Sequence, residues 1–373
     1  MTSARESFQA GPNPNSSVLN RQKPDVVPWM GDLDYWMQWL RVANLMPQQY
    51  QGDGLYQYHR DLGVGFYLQG YFPFRTVYDG IEVIEEPVGL GKITRVKTPY
   101  GELREFQRWI DESFCIAWTE RFLKSWRDLK ALRYFAEHTF YEPDYDLAAR
   151  RYDLVGDNGL VLCYLPRSPF MDLVAITAGI QAVTYALADA PDEFAETFEV
   201  LKRKNDEACE IALRSPAECL MIPENLSSEV VGKRFFNKWV RPHDTYWAHR
   251  IREAGKYSFV HIDGTLRGLI REVAETGFRV LEAVTPAPVG DITPEDLCQW
   301  VPPDTVIWGG IPGVYFTDLV SDEQFDAFVI RVLEVWKSAP RYVLGVADQV
   351  PPLARAERIA RVRPLVEKYG HYN

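Results

Sequence analysis

The chain has 373 residues, 46% of them hydrophobic and 25% charged, and a formal net charge of −11. That is the make-up of a folded globular protein with a large core, and its excess of acid disfavours nucleic-acid phosphates and anionic lipid, both of which need Lys and Arg. No stretch approaches the ~20 consecutive apolar residues of a membrane span, and the N-terminus has neither a basic nor an apolar leader region, so a cytoplasmic protein is expected.

Residues 1–24 are rich in Asn, Ser, Gln, Gly and Pro without an apolar period, which predicts a mobile arm, and the fold is expected over residues 25–373 as one domain. A short strand at 26–29 and a helix over 34–46, with Asp32 or Asp34 as its cap, come first, and a second strand follows at 64–68. Residues 81–109 break the pattern: alternating residues flank Pro99-Tyr100-Gly101, the mark of an antiparallel hairpin. Helices are expected near 128–138 and 146–152.

From Gly159 onward, short apolar strands alternate with amphipathic helices, the pattern of parallel strands joined by crossovers. The strands are GLVLCYL, ECLMI, YSFVHI, FRVLEAV, TVIWGG and RYVLGV; the helices fall over 171–187, 193–213, 233–253, 265–275, 294–300, 323–338 and 355–368. With the two early strands these six make eight, which predicts an α/β fold of the (β/α)8 TIM-barrel type carrying an N-terminal arm and an inserted antiparallel hairpin. The cysteines, Cys115, Cys163, Cys209, Cys219 and Cys298, lack CxxC spacing and read as reduced thiols, most of them in the core, none binding metal.

In such a fold the reactive groups stand at the C-terminal ends of the strands. Four candidates lie there: Glu224 after ECLMI, His261 and Asp263 at the end of YSFVHI, and Asp348 after RYVLGV. A His with three carboxylates forms an oxygen-rich metal site or a metal-free acid/base cluster, because like charges brought close need a cation or shared protons. The two-residue spacing of His261 and Asp263 keeps both on one strand face, and Gly264 allows a tight turn into the next helix. Each also has a plainer role: Asp263 could cap the helix from Thr265, Glu224 could bond loop amides, Asp348 could be solvated, and His261 could be a satisfied core histidine. Glu282, inside FRVLEAV, either is paired in the sheet or faces the pocket. His59, His138, His243 and His249 fall in or near helical patterns where packing or surface roles are expected, and an early cluster of Tyr35, Trp36, Trp39, Tyr71, Phe72 and Phe74 could line an apolar mouth. Phosphate-loop, dinucleotide and serine-hydrolase motifs are absent from the sequence.

The stretch from ENLSSEVVGKRFFNKWVRPHDTYW through YSFVHIDGTLRGL to TVIWGGIPG resembles the distal half of the uroporphyrinogen decarboxylase and corrinoid-dependent methyltransferase superfamily; KPDVVPW, TPYGELRE and PRSPFMDL extend the likeness over residues 20–370. The resemblance implies a (β/α)8 barrel and either cofactor-independent decarboxylation or zinc-dependent methyl transfer with a corrinoid protein. The chain departs from both branches. DVVPWMGDLDYWMQW replaces the arginine-rich substrate motif of the decarboxylases, and His261, Asp263 and Asp348 stand where thiol-directed methyltransferases have a His-x-Cys and a later Cys. The implied activity is thus a metal-dependent, methyltransferase-like reaction on a small substrate, with Glu224, His261, Asp263 and Asp348 holding a divalent metal such as zinc, and a corrinoid protein as a partner. Two alternatives stay open: a metal-free decarboxylase or lyase using His261 and Asp263 for proton transfer, and a non-catalytic barrel that binds a small ligand.

Overall fold

A computed structural model describes residues 18–52, 55–68, 71–155 and 159–373. Seven strands form one parallel sheet in chain order: β1 (Phe66–Leu68), β8 (Gly159–Tyr164), β9 (Cys219–Leu226), β10 (Tyr257–Ile262), β11 (Val280–Val284), β12 (Val306–Pro312) and β13 (Tyr342–Ala347). Its two outer strands meet the same short segment. Trp29 bridges Leu344 of β13 and Met30 bridges Gly65, next to β1, and hydrogen bonds from Met30 N–H to Leu344 O and from Gly65 N–H to Trp29 O join the edges. The expected strand at 26–29 is therefore realised only as bridges. A sheet whose edges share one segment must curl.

Along each strand alternate residues face inward and outward. Leu160, Leu162, Cys219, Met221, Phe259, Val280, Val306, Trp308 and Val343 pack on one another in the interior, while Val161, Leu220, Ile222, Val260, Leu281, Ile307 and Leu344 belong to the cluster shared with the helices. Trp308 fills the interior because Gly345 faces it: a Cβ there would lie 2.8 Å from the indole ring. The shell includes helices Pro191–Arg214, Arg241–Glu253, Asp322–Trp336 and Ala356–Tyr369.

Of the expected arm, residues 1–17 lie outside the described residues. Val18 and Leu19 are buried against the interior cluster at the N-terminal end of the strands, and Arg279 donates to both of their carbonyls. Val18 and Leu19 of the expected arm are thus anchored on the core: two apolar residues in a polar stretch suffice, a signal too short to show as periodicity.

Between β1 and β8 the chain leaves the parallel sheet. β2 (Phe74–Tyr78) pairs antiparallel with β7 (Thr139–Pro143), and between them β3 (Glu82–Val88), β4 (Gly91–Thr98), β5 (Gly101–Ile110) and β6 (Cys115–Glu120) form a four-stranded antiparallel sheet. The expected hairpin over 81–109 is thus part of a larger excursion. β6 escaped the sequence reading because it is short and pairs with β5 across an irregularity at Phe106–Gln107.

Helix boundaries moved for local reasons. The first helix ends at Val42, not 46, because Asn44 adopts the left-handed conformation that closes helices. The helix expected over 171–187 is interrupted at Gly179, whose φ is 90°, and that over 265–275 shrinks to Ile270–Ala274. All five cysteines are free thiols.

Candidate functional site

The interior rows end, at the C-terminal side of the sheet, in ionisable residues. His261 lies two residues beyond Phe259 on β10 and so faces inward above it. Its register partner on β11 is Glu282, likewise two beyond Val280, and adjacency in the parallel ladder brings His261 Nδ1 to 2.6 Å from Glu282 Oε2. The open question over Glu282 is settled by this pairing. It faces the interior and is 1% exposed.

The other ring nitrogen of His261, Nε2, faces Asp348 Oδ1 at 3.8 Å, beyond a hydrogen bond. Asp348 follows β13, has a positive φ of 70° and keeps 49% of its side chain exposed. Burial alone would lower the pKa of His261, but Glu282, by charge and hydrogen bond, with Asp348 and Asp263, outweighs it and lifts the imidazole to about 9. The Asp348 carboxyl is lifted to about 6, chiefly by lost solvation, with Asp263 and Glu282 adding and His261 opposing.

Asp263 continues the chain beyond β10 and acts on both groups through its charge. It does not cap a helix. The amides of Leu266 and Arg267 bond Asp291 instead, at 2.7 and 3.0 Å, which leaves Asp263 at the mouth.

Further polar groups close the rim. Asp32 is 4% exposed; it accepts from Gln349 Nε2 at 3.0 Å, and its carbonyl accepts from the Val350 amide, so it ties the loop after Asp348 to the first helix. On that helix the Tyr35 hydroxyl donates to the carbonyl of Ser113, at the β5–β6 turn, so the excursion touches the rim beside Asp348. At the end of β8, burial and the charges of Glu282, Asp32 and Asp348 keep the Tyr164 phenol protonated. Of the early aromatics, Phe72 packs edge-on against Tyr164 at 5.6 Å, whereas Trp36 sinks into the core.

Glu224 does not join this group. The Ser168 amide and hydroxyl donate to it at 2.7 and 3.1 Å, and its other neighbours are His243 and Asp244 on helix Arg241–Glu253. The expectation that Glu224, His261, Asp263 and Asp348 converge therefore divides in two: His261, Asp263 and Asp348 share the mouth with Glu282, while Glu224 stands in a separate, wholly buried cluster. Position after an apolar run does not reveal this but side-chain alternation does: Glu224 lies two residues beyond Ile222, which packs with the helices, so it faces the shell. His243, expected to pack or face solvent, is buried beside Glu224.

A family profile described as uroporphyrinogen decarboxylase (URO-D) matches residues 166–369, more than half of the chain. The chain belongs to the uroporphyrinogen decarboxylase family. That span holds His261, Asp263, Glu282, Asp348 and the whole of the Glu224 cluster. Among solved structures, a methyltransferase from Methanosarcina mazei superposes with a TM-score of 0.59 at 10% identity, covering 95% of this chain and 98% of that one. The likeness is one of fold. No curated protein matches the sequence. No helix among the described residues is long and apolar enough to cross a membrane.

The family match places the chain in a family whose description is that of an enzyme. The mouth donors, one imidazole and two or three carboxylates, fit a hard or borderline divalent ion better than a thiophilic one.

Proposed function

We propose that the chain is a (β/α)8 barrel, with Trp29–Met30 as its eighth stave, and a metal-dependent, methyltransferase-like enzyme acting on a small substrate at the mouth formed by His261, Asp263 and Asp348. The observation that carries this reading is the pair His261–Glu282: a carboxylate at 2.6 Å holds Nδ1, so the ring is fixed with Nε2 turned toward Asp348. A carboxylate behind a histidine is the usual outer partner of a metal-bound imidazole, since it fixes tautomer and orientation. The charge balance agrees: Glu282, Asp263 and Asp348 surround one imidazole, and a divalent ion would relieve their repulsion. His261, Asp263 and Asp348 would hold it, Glu282 would orient His261, and the ion would polarise the substrate as a Lewis acid. Tyr164, kept protonated, stands on the same interior row.

The test couples metal content to turnover. Purified protein is assayed for bound divalent metal and for demethylation of methylcobalamin with a panel of oxygen and nitrogen acceptors. Metal in stoichiometric amount, with turnover lost on chelation and restored by zinc, is expected. The same His261–Glu282 pair also favours a second reading, in which the imidazole transfers a proton during metal-free decarboxylation or lysis. Turnover of a carboxylated substrate that survives chelation, with the site free of metal, would establish the second reading and overturn the first.

A further inference from the structure

We infer that Glu224, His243 and Asp244 form a second divalent-cation site, structural in role, in the shell behind the end of β9. One ligand atom from each of the three lies within 4.8 Å of the others. Ligands held ~2.0–2.2 Å from one ion can be at most ~4.4 Å apart, so closure requires only a few tenths of an ångström.

Hydrogen-bond direction makes the cluster a convergence of lone pairs. The Asn205 amide nitrogen donates to the Arg167 carbonyl at 2.5 Å, so its oxygen faces His243 Nε2 at 2.9 Å, and Nε2 must carry the proton. In the neutral ring Nδ1 is then a lone pair, and it faces Asp244 Oδ1 at 3.3 Å. Ser168 supplies one donor to each oxygen of Glu224, which orients the carboxyl as an outer partner orients a ligand. Asp244 Oδ2 is fully buried and no donor reaches it. Such an atom, 0% exposed and turned into a cluster of acceptors, demands a proton or a cation. The side-chain hydrogen bond between Asp244 and Glu224 joins two carboxyls, which need a proton or a cation between them.

A cation is the fuller answer. Among the described residues no Lys or Arg forms an ion pair with Glu224 or Asp244, and a divalent ion balances two carboxylates with one charge left on neither side. The donors are one nitrogen and oxygens, which suits zinc. The site would fasten strand end β9, the loop after β8 and two shell helices at one point. Next to that point Arg167 bonds Asn225 at 3.2 Å, and Asn225 holds a left-handed φ of 55° at the start of the mouth loop.

This inference is independent of the mouth reading, and the experiment keeps them apart. The full chain is prepared as wild type, as the mouth variant His261→Ala/Asp348→Ala, and as the mouth variant that also carries His243→Gln. Each is refolded with zinc, dialysed and assayed by plasma mass spectrometry, and its thermal midpoint is read with and without chelator. About one zinc per chain is expected in the mouth variant, with a midpoint several degrees higher with zinc than with chelator, and less than about 0.2 when His243→Gln is added. Wild type holding about two places metals at both sites; wild type holding the same single zinc as the mouth variant removes the mouth metal and leaves this one. A mouth variant with no bound zinc and no midpoint shift overturns the inference and assigns two shared protons to the cluster. Zinc retained undiminished after His243→Gln overturns it equally. If the His243→Gln chain does not fold, Glu224→Gln in the mouth variant takes its place under the same criteria.

Discussion

Two groups of the same composition, one histidine among carboxylates, lie on either side of one sheet and behave oppositely. At the mouth, His261 is held by Glu282 and pushed to about 9, while half of Asp348 is open to solvent. In the shell, burial lowers the pKa of His243 despite the opposing pull of Glu224 and Asp206, and it raises both Glu224 and Asp244, the latter to about 8. The mouth histidine touches an inward carboxylate at hydrogen-bond distance; the shell histidine gives its proton to a neutral amide. Residue type alone therefore decides neither charge nor role. Access and the identity of the first hydrogen-bond partner do.

Removing His261 from the mouth and Asp244 from the shell tests the contrast most directly. His261→Ala should lower turnover by at least about 10³-fold, because it removes the only imidazole at the reacting mouth, while the thermal midpoint stays within a few degrees. Steady-state kinetics beside a melting curve read both. A mouth variant that loses its fold and its activity together would make the mouth a structural cluster like the shell.

The shell should respond in the reverse sense. Asp244→Ala leaves Glu224 and His243 facing a void and should lower stability by about 2 to 3 kcal/mol, since it opens a cavity and strands buried polar partners. Guanidinium unfolding measures this. A loss below about 1 kcal/mol, with turnover abolished, would transfer the catalytic role to the shell.

How much of this was legible in advance depended on the kind of signal. The alternation of strands and helices after Gly159 is strong and local, and it set out six strands of the parallel sheet. His261, Asp263 and Asp348 were legible as strand-end polar residues, because each follows an apolar run in the same direction. Glu224 satisfied the same rule and is elsewhere, because the rule takes no account of side-chain alternation: two residues beyond Ile222, Glu224 falls on the shell face of β9. His243 and Asp244 sit in a helix, where their burial depends on which face packs inward; the partner that decides it, Asn205, lies 38 residues away in sequence. The anchoring of Val18 and Leu19 was invisible for the same reason, being fixed by contacts distant in the chain.

A pH titration sharpens the comparison next. In metal-free protein the folded pKa of His261, about 9, exceeds the ordinary 6.5, so its contribution to stability is complete below pH 6.5 and disappears as pH rises through 9. The fall should be at most about 3 kcal/mol, and His261→Asn should flatten it. Asp348, raised to about 6, acts with the same sign at lower pH, its carboxyl being easier to ionise in the unfolded chain. Chemical unfolding at a series of pH values, with chelator present, reads both. Stability that rises between pH 6.5 and 9 would contradict the carboxylate hold on His261.

The smallest expected effect is also the most specific to the mouth. Glu282 touches no solvent and, in the proposed chemistry, no substrate; it acts through His261. Glu282→Gln keeps the volume and can still accept a hydrogen bond through its amide oxygen, but it removes the charge that steadies the imidazole. Metal affinity should fall about 10- to 100-fold, the range found when an outer carboxylate behind a metal-bound histidine is lost. The pKa of His261 in metal-free protein, followed by NMR of the imidazole, should fall from about 9 because the strongest of the forces raising it is gone, leaving burial to act against Asp348 and Asp263 alone. A merely structural Glu282 would lower stability and leave the imidazole titration where it was. A catalytic base would instead abolish turnover without touching metal affinity. The combination of weakened metal binding, a lowered imidazole pKa and an unchanged zinc content in the shell is what distinguishes a residue that positions His261 from either, because the shell cluster shares none of its partners with Glu282.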